Sequence, residues 1–406
     1  MKRISIVLCA VLLIFQTGCI NKEKQPEKKE YIYSEFVKTK EKSPIYEECL
    51  EANCTEKYKE IGQIEQNTEL HLNGETEDYY KIQELDKEYL IKKDPVEAIE
   101  KLTEKDQRYK NYLVWNKNII TKQTTKFYNL KDELLYTINK SFTLPIIVDN
   151  LNERYYIEYN NQLMYVKQED IEKVEEANNT SEQNTPGIAV LNYHFVHKET
   201  EKCDQEICTS ETQMRQHLDY IKNNNYFTPK LSELELYMDN KIQLPKSVVI
   251  TADDGWMAQN FIDLLDEYKL NGTYFIVTSW YDPKNFKSEY VEFHSHSHNL
   301  HNYHDCPTGQ GGGIQCLPEE KIQEDLKTSS QMLKGSKYFC YPFYEYNNYS
   351  IEQLKKAGYR LAFGGEFDGG DFVARPNGKK YEIPRWVMVN YTTMQTFQAY
   401  LELKKG

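Results

Sequence analysis

Two stretches of this sequence hold residues that could bind a cation and move a proton. The first is Thr251-Ala252-Asp253-Asp254-Gly255, which directly follows the apolar run Ser247-Val248-Val249-Ile250. Neighbouring side chains of an extended backbone point to opposite sides. One carboxylate can therefore face a metal while the other faces water or substrate. Two adjacent carboxylates at the end of a buried strand are costly unless a cation compensates them. Asp-Asp-Gly is also good turn chemistry, so the pair gains weight only beside the second stretch, Phe293-His294-Ser295-His296-Ser297-His298-Asn299-Leu300-His301. Five of the nine histidines lie within 294–304. His296 and His301 would sit about 140° apart around a helix, so they can converge only from a strand end and its loop. Two neutral imidazoles and one carboxylate form a three-ligand set with an open position, the pattern of catalytic zinc; cobalt, nickel or iron also suit it. A third stretch, Phe339-Cys340-Tyr341-Pro342-Phe343 followed by Tyr344, Tyr346 and Tyr349, places a proline among aromatics. It could wall a groove for a sugar ring and turn a backbone N–H toward a reaction centre, although most such aromatics pack a core. Phe343, Tyr341 and Trp256 are the candidates for that groove.

The elements that must position these residues begin at Ile188. Short apolar runs (Ile188–Val196, Ser247–Thr251, Thr273–Thr278, Val291–Phe293, Tyr338–Phe343, Leu361–Phe363, Ile383–Val389) alternate with amphipathic segments (Glu211–Asn223, Ala258–Leu270, Glu319–Leu333, Ile351–Ala357, Met394–Lys404). Such alternation predicts an α/β barrel or a doubly wound sheet. In barrels, functional residues collect at the carboxyl ends of strands, and the polar residues named above fall there.

Together these motifs resemble the polysaccharide deacetylase family, carbohydrate esterase family four, over about 188–390. The family's Thr-Phe-Asp-Asp-Gly appears as Thr251-Ala252-Asp253-Asp254-Gly255, and its histidine motif as His296-Ser297-His298-Asn299-Leu300-His301. The five-residue histidine spacing and the opening Ala189-Val190-Leu191-Asn192-Tyr193-His194 look like the branch of exported poly-N-acetylglucosamine deacetylases. The resemblance implies a distorted β/α barrel that removes N-acetyl groups. It implies Asp254, His296 and His301 as ligands of a divalent metal, zinc above all, Asp253 as general base, and a backbone N–H of Phe343 for the oxyanion. The sequence departs from the family pattern at Ala252, where an aromatic is usual, and at Cys340, where an Arg often opens the third motif. Arg385 is the candidate to orient Asp253 instead. After His304 there is no histidine, so the family's late acid is missing, and His194 of the opening motif is the candidate general acid.

The N-terminal half contains a repeat. Tyr79-Tyr80-Lys81-Ile82 and Tyr89-Leu90-Ile91-Lys92-Lys93 return about 75 positions later as Tyr155-Tyr156-Ile157 and Met164-Tyr165-Val166-Lys167-Gln168, and Ile45-Tyr46 returns as Phe127-Tyr128. Asn73-Gly74 and Asn160-Asn161 supply turns between short alternating strands. Two copies mean two small β domains and not a solenoid. Their pattern resembles bacterial Src-homology-3-like domains, at 35–99 and 117–174, which in exported proteins often bind cell-wall peptide; a rigid spacer is the plainer alternative. A linker, 175–187, then leads into the 188–406 deacetylase-like domain. The expected fold class is multidomain: two small all-β barrels followed by an α/β domain.

The first residues set the expected compartment. Lys2 and Arg3 precede an apolar core from Ile4 to Phe15, too short to span a bilayer as a stable helix. Gln16-Thr17-Gly18-Cys19 resembles a lipoprotein signal cleaved before Cys19, which would carry lipid and anchor the protein to the outer face of a bacterial membrane. Residues 1–18 then form the signal and 19–34 the tether. Of the nine cysteines, Cys49 and Cys54, Cys203 and Cys208, and Cys306 and Cys316 form close pairs, read as local disulfides in an oxidising compartment; Cys340 is left as a buried thiol. A net charge of −13 argues against a nucleic-acid partner. The expected activity is metal-dependent de-N-acetylation of an extracellular or cell-wall N-acetylglucosamine polymer. The alternatives are an inactive glycan- and wall-binding lipoprotein on the same fold, and a metal-dependent hydrolase of another ester or amide.

Overall fold

Alternating apolar and polar residues give the N-terminal half its short antiparallel strands. The computed structural model describes residues 33–403 except 51–53, 85–86, 104–106, 181, 303–305, 307–308, 311 and 366–371. The expected signal, the lipidation at Cys19 and most of the tether lie outside the described residues. The repeat is visible as repeated pairing. Strands Phe36–Thr39, Ser43–Glu48, Tyr58–Ile64, Glu69–His71, Tyr79–Glu84, Lys87–Lys92 and Val96–Ile99 have counterparts in Lys117–Thr121, Thr125–Tyr128, Leu134–Ile138, Thr143–Pro145, Arg154–Tyr159, Gln162–Lys167 and Ile171–Glu176. In each set the first strand pairs with the fourth and seventh. The second pairs with the third and sixth, and the fifth with the sixth. Tyr46 lies opposite Leu90, as Tyr128 lies opposite Tyr165.

Each copy keeps a three-stranded sheet of its own, and the two expected small β units are joined edge to edge. Leu134–Ile138 of the second copy pairs with Tyr58–Ile64 of the first, joining both into a nine-stranded sheet. Each strand would otherwise leave an edge of unpaired backbone groups, and pairing covers both edges. Gly62 permits the approach: a Cβ there would meet the Thr137 carbonyl oxygen at 2.2 Å. One apolar cluster runs through both copies, from Ile45 and Ile61 to Phe127 and Tyr136. The second copy is also fixed to the C-terminal domain. Leu113 forms a bridge with Gln243, Arg108 Nε donates to Glu233 at 2.9 Å, and Ile147 and Val148 pack with Leu231 and Leu234. The expected linker is tied at both ends, with Asn179 donating to the Trp115 carbonyl and the Thr185 N–H to that of Leu244.

The C-terminal domain is the expected α/β layer. Its strands are β1 (Ala189–Tyr193), β2 (Val248–Asp254), β3 (Gly272–Ile276), β4 (Val291–Ser295), β5 (Tyr338–Cys340), β6 (Leu361–Phe363) and β7 (Trp386–Val387). They form one parallel sheet in the order β6-β5-β4-β3-β2-β1-β7. The sheet curls toward closure, since Phe363 in the β6 edge forms a parallel bridge with Ile383, just upstream of β7. Helices α1 (Glu211–Asn223), α2 (Leu231–Met238), α3 (Ala258–Tyr268), α4 (Glu319–Met332), α5 (Asn348–Lys356) and α6 (Met394–Leu401) pack outside. Of these, α2 was not legible in the sequence. It is buried nearly all round, its Glu233 and Glu235 included, so it has no polar face to give a helical period. Glu233 and Glu235 are held by Arg108 and Lys380. The three expected disulfides are present, and Cys340 is a buried free thiol.

The buried face of α1 carries a histidine with a measurable consequence. His217 is fully buried, stacked on Phe397 with ring centroids 4.0 Å apart, and its Nδ1 lies 2.9 Å from the Tyr193 hydroxyl. Burial lowers its pKa to about 4. The unfolded chain takes up this proton near pH ~6.5 and the folded chain only near pH 4. This group therefore leaves stability intact above the unfolded value and removes it as pH falls through the interval, by about 3 kcal/mol in all. Urea unfolding at pH 7 and 4.5 checks this: His217→Gln should flatten the pH slope, and an unchanged slope would refute the assignment.

Candidate active site

The carboxyl ends of β1, β2, β4 and β5 bring the candidate residues together. Strand β2 ends in the carboxylate pair, and the chain then turns sharply, with Asp254 at φ 79° and Gly255 at φ 130°. A Cβ on Gly255 would meet the Tyr281 ring at 2.3 Å, so only glycine fits this turn. The two carboxylates have separate surroundings, as strand alternation requires. Asp253 is 1% exposed and accepts both Arg385 guanidinium nitrogens, Nη1 on Oδ1 and Nη2 on Oδ2, each at 2.8 Å. Asp254 Oδ1 instead lies 3.3 Å from His296 Nε2 and 3.1 Å from His301 Nε2. Burial opposes ionisation of Asp253, but the Arg385 charge outweighs it and holds the carboxyl below its usual range. For Asp254 too burial is outweighed, here by the hydrogen bonds from the two imidazoles.

His296 directly follows β4, and His301 lies on the loop beyond it. That loop is fixed by backbone bonds to Asp325 on α4, which accepts the N–H groups of His298 and Asn299 at 2.8 and 2.6 Å. Ser297 adopts φ 72°, and its hydroxyl accepts the His301 N–H at 3.2 Å. His296 Nδ1 lies 2.9 Å from the Cys340 carbonyl. Donation to that carbonyl fixes the tautomer that leaves Nε2 free as a ligand. The neighbouring histidines are structural: His294 Nδ1 meets Ser336 Oγ and His298 Nδ1 meets Thr278 Oγ1. His304 lies outside the described residues.

The residues fit a cation. Ligands bonded tetrahedrally at 2.0–2.1 Å stand about 3.3 Å apart, close to the two Asp254–imidazole separations. Asp253, His296 and Cys340 form a second convergent group. There Arg385 already pairs with Asp253, and its Nη2 lies 3.0 Å from Cys340 Sγ. A guanidinium in that place excludes a second cation, which leaves Asp254, His296 and His301 as the set able to hold one. The contact also explains the cysteine: its small side chain leaves room for the guanidinium that reaches Asp253 from Arg385, the residue before β7.

His194 follows β1, with Nε2 4.0 Å from Asp253 Oδ2 and 3.2 Å from the Tyr344 hydroxyl. Burial pulls its imidazole below the ordinary value, against the opposing charge of Asp253. Phe343 lies at φ 57° with its ring 4.5 Å from that of His301, and its N–H has no acceptor among the described residues. Tyr341 does not belong to a groove. It is fully buried, stacks on Tyr346 and donates its hydroxyl to the Tyr381 carbonyl, because the aromatic run alternates between core and site. Trp256 is 39% exposed and packs edgewise on Phe195. Two residues beside the site escaped the sequence reading. Trp280, 44% exposed, lies 4.9 Å from the His301 ring; its place just past β3 was the available signal. Asn192 donates to the Tyr344 hydroxyl at 2.9 Å, and no sequence signal links positions 152 residues apart.

A parallel, nearly closed α/β sheet thus gathers carboxylates and imidazoles at its carboxyl end. Residues 240–362 match the polysaccharide deacetylase family. The chain thus carries a polysaccharide deacetylase domain, of the amide-hydrolase class. Among solved structures it is similar to a de-N-acetylase from Aggregatibacter actinomycetemcomitans, at 20% identity over 52% of this chain and 99% of that one, TM-score 0.45. It is also similar to IcaB from Ammonifex degensii, at 21% identity over 55% and 99%, TM-score 0.44. A polysaccharide deacetylase from Bacillus cereus matches at 14% identity over 80% of this chain and 95% of that one, TM-score 0.42. No curated protein matches the chain.

Proposed function

We propose that this protein hydrolyses the acetamide of N-acetylglucosamine residues in an extracellular or cell-wall polysaccharide, releasing acetate. The observation that carries the reading is the meeting of Asp254, His296 and His301 beside an Asp253 kept ionised by Arg385. Asp254, His296 and His301 hold a divalent metal, zinc by ligand type, with cobalt, nickel and iron also accommodated. When bound, that ion supplies Lewis-acid activation of water and of the acetamide carbonyl. Asp253 accepts the proton of the attacking water, and the Phe343 N–H donates to the developing oxyanion. His194 delivers a proton to the departing nitrogen, so the C–N bond breaks to give acetate and a free amine.

The polymer is poly-β-1,6-N-acetylglucosamine or peptidoglycan. The opening His194 motif favours the first, and the N-terminal β copies, read as Src-homology-3-like and able to hold wall peptide, favour the second. Gly18-Cys19 after the apolar stretch supports a lipid anchor on the outer membrane face. The test is acetate release from β-1,6 and β-1,4 N-acetylglucosamine oligomers and from peptidoglycan. Chelation should lower release at least about 100-fold and zinc should restore it; His301→Ala should lose both metal and activity. Full activity of the metal-free protein would refute the metal reading, and no release from any substrate would refute the deacetylase reading.

A further inference from the structure

Tyr344 is placed with unusual care for a residue at the end of an aromatic run. Phe343 and Tyr344 are consecutive non-glycine residues at φ 57° and 60°, a left-handed conformation that side chains other than glycine rarely adopt. The Tyr344 ring lies against Gly365, where a Cβ would meet its Cγ at 2.7 Å. The Arg385 guanidinium sits 5.4 Å from the ring centroid. The strained turn, the missing Cβ and the stacked cation together put one hydroxyl between Asn192 Nδ2, at 2.9 Å, and His194 Nε2, at 3.2 Å.

A phenol can donate to a neutral imidazole and accept from an imidazolium. With Asn192 donating to its oxygen, Tyr344 keeps its O–H and one lone pair for His194. We infer that Tyr344 is a positioning residue: its hydroxyl, fixed by Asn192, holds the His194 ring in one orientation through both protonation states. The inference rests on the reading of His194 as the proton donor. An apolar ring of the same shape would fill the space and lose this function.

Tyr344→Phe tests it, since the ring and its packing remain. We expect kcat to fall about 10–100-fold, the effect of losing a group that orients a functional histidine. KM should stay within about twofold, with metal content and melting temperature unchanged. In a His194→Ala background the same substitution should cost nothing further, because both changes act through one imidazole. The 15N spectrum of the His194 ring, identified by its loss in His194→Ala, should shift in Tyr344→Phe without any turnover. Wild-type kcat in Tyr344→Phe, full additivity with His194→Ala, or an unmoved ring spectrum each overturns the inference. If His194→Ala is impaired while Tyr344→Phe is not, this inference alone falls. If His194→Ala keeps wild-type kcat, the reading of His194 falls and takes the inference with it.

Discussion

Asp253→Asn should leave the metal content unchanged and lower kcat about 10²–10⁴-fold, the span covered by a positioned general base. Asparagine has nearly the volume of aspartate and can still accept one of the two Arg385 bonds, but it cannot take a proton from water. The carboxylate suits that task because it is fully buried, is kept ionised by two guanidinium bonds at 2.8 Å, and lies 4.0 Å from His194. It is not needed to hold a cation, since Asp254 faces both imidazoles instead. Acetate release, metal analysis and thermal unfolding on one preparation separate these roles. Activity within tenfold of wild type, with metal retained, would remove Asp253 from the chemistry. Loss of metal together with activity would reassign it as a ligand.

Arg385→Met should be the most destabilising single change at the site, at about 3–5 kcal/mol. Its guanidinium is wholly buried and holds Asp253, the Thr251 hydroxyl and the Gly364 carbonyl. Removing it strands a carboxylate away from water. The double variant Arg385→Met with Asp253→Leu should recover most of that loss, because exchanging a whole buried pair for apolar side chains is often near neutral. Both variants should be inactive, so stability and activity separate. Chemical unfolding provides the measurement. If the double variant is as unstable as the single one, packing around the guanidinium dominates and the charge pair does not.

Much of this arrangement was legible beforehand, for local reasons. The runs that became β1 to β6 are apolar because a parallel sheet covered on its faces is buried. The helix expected over Glu211–Asn223 runs over those residues because Ser210 caps it and Met214, Leu218 and Ile221 fall on one buried face. Asp253, Asp254, His296 and His301 were visible as residue types at strand ends, and the structure brings them together. The N-terminal repeat was visible because each copy keeps its own strand pattern.

What stayed hidden depends on contacts between distant positions. The union of the two β copies into one sheet turns on Gly62 meeting Thr137, and a glycine in a strand does not say which backbone will approach it. The helix Leu231–Met238 has no polar face, because partners from other segments satisfy its glutamates. Tyr341 and Tyr344 are the same residue type three positions apart, yet one fills the core and the other reaches His194. That difference is made by the turn at Phe343 and by space vacated at Gly365. The sequence by itself determined which chemistry this protein could carry: its carboxylates, imidazoles and strand ends follow from residue type and period. Tertiary structure alone decided which carboxylate faces the imidazoles and which faces Arg385, and which hydroxyl holds His194, since those choices lie in pairings between residues 42 to 150 positions apart.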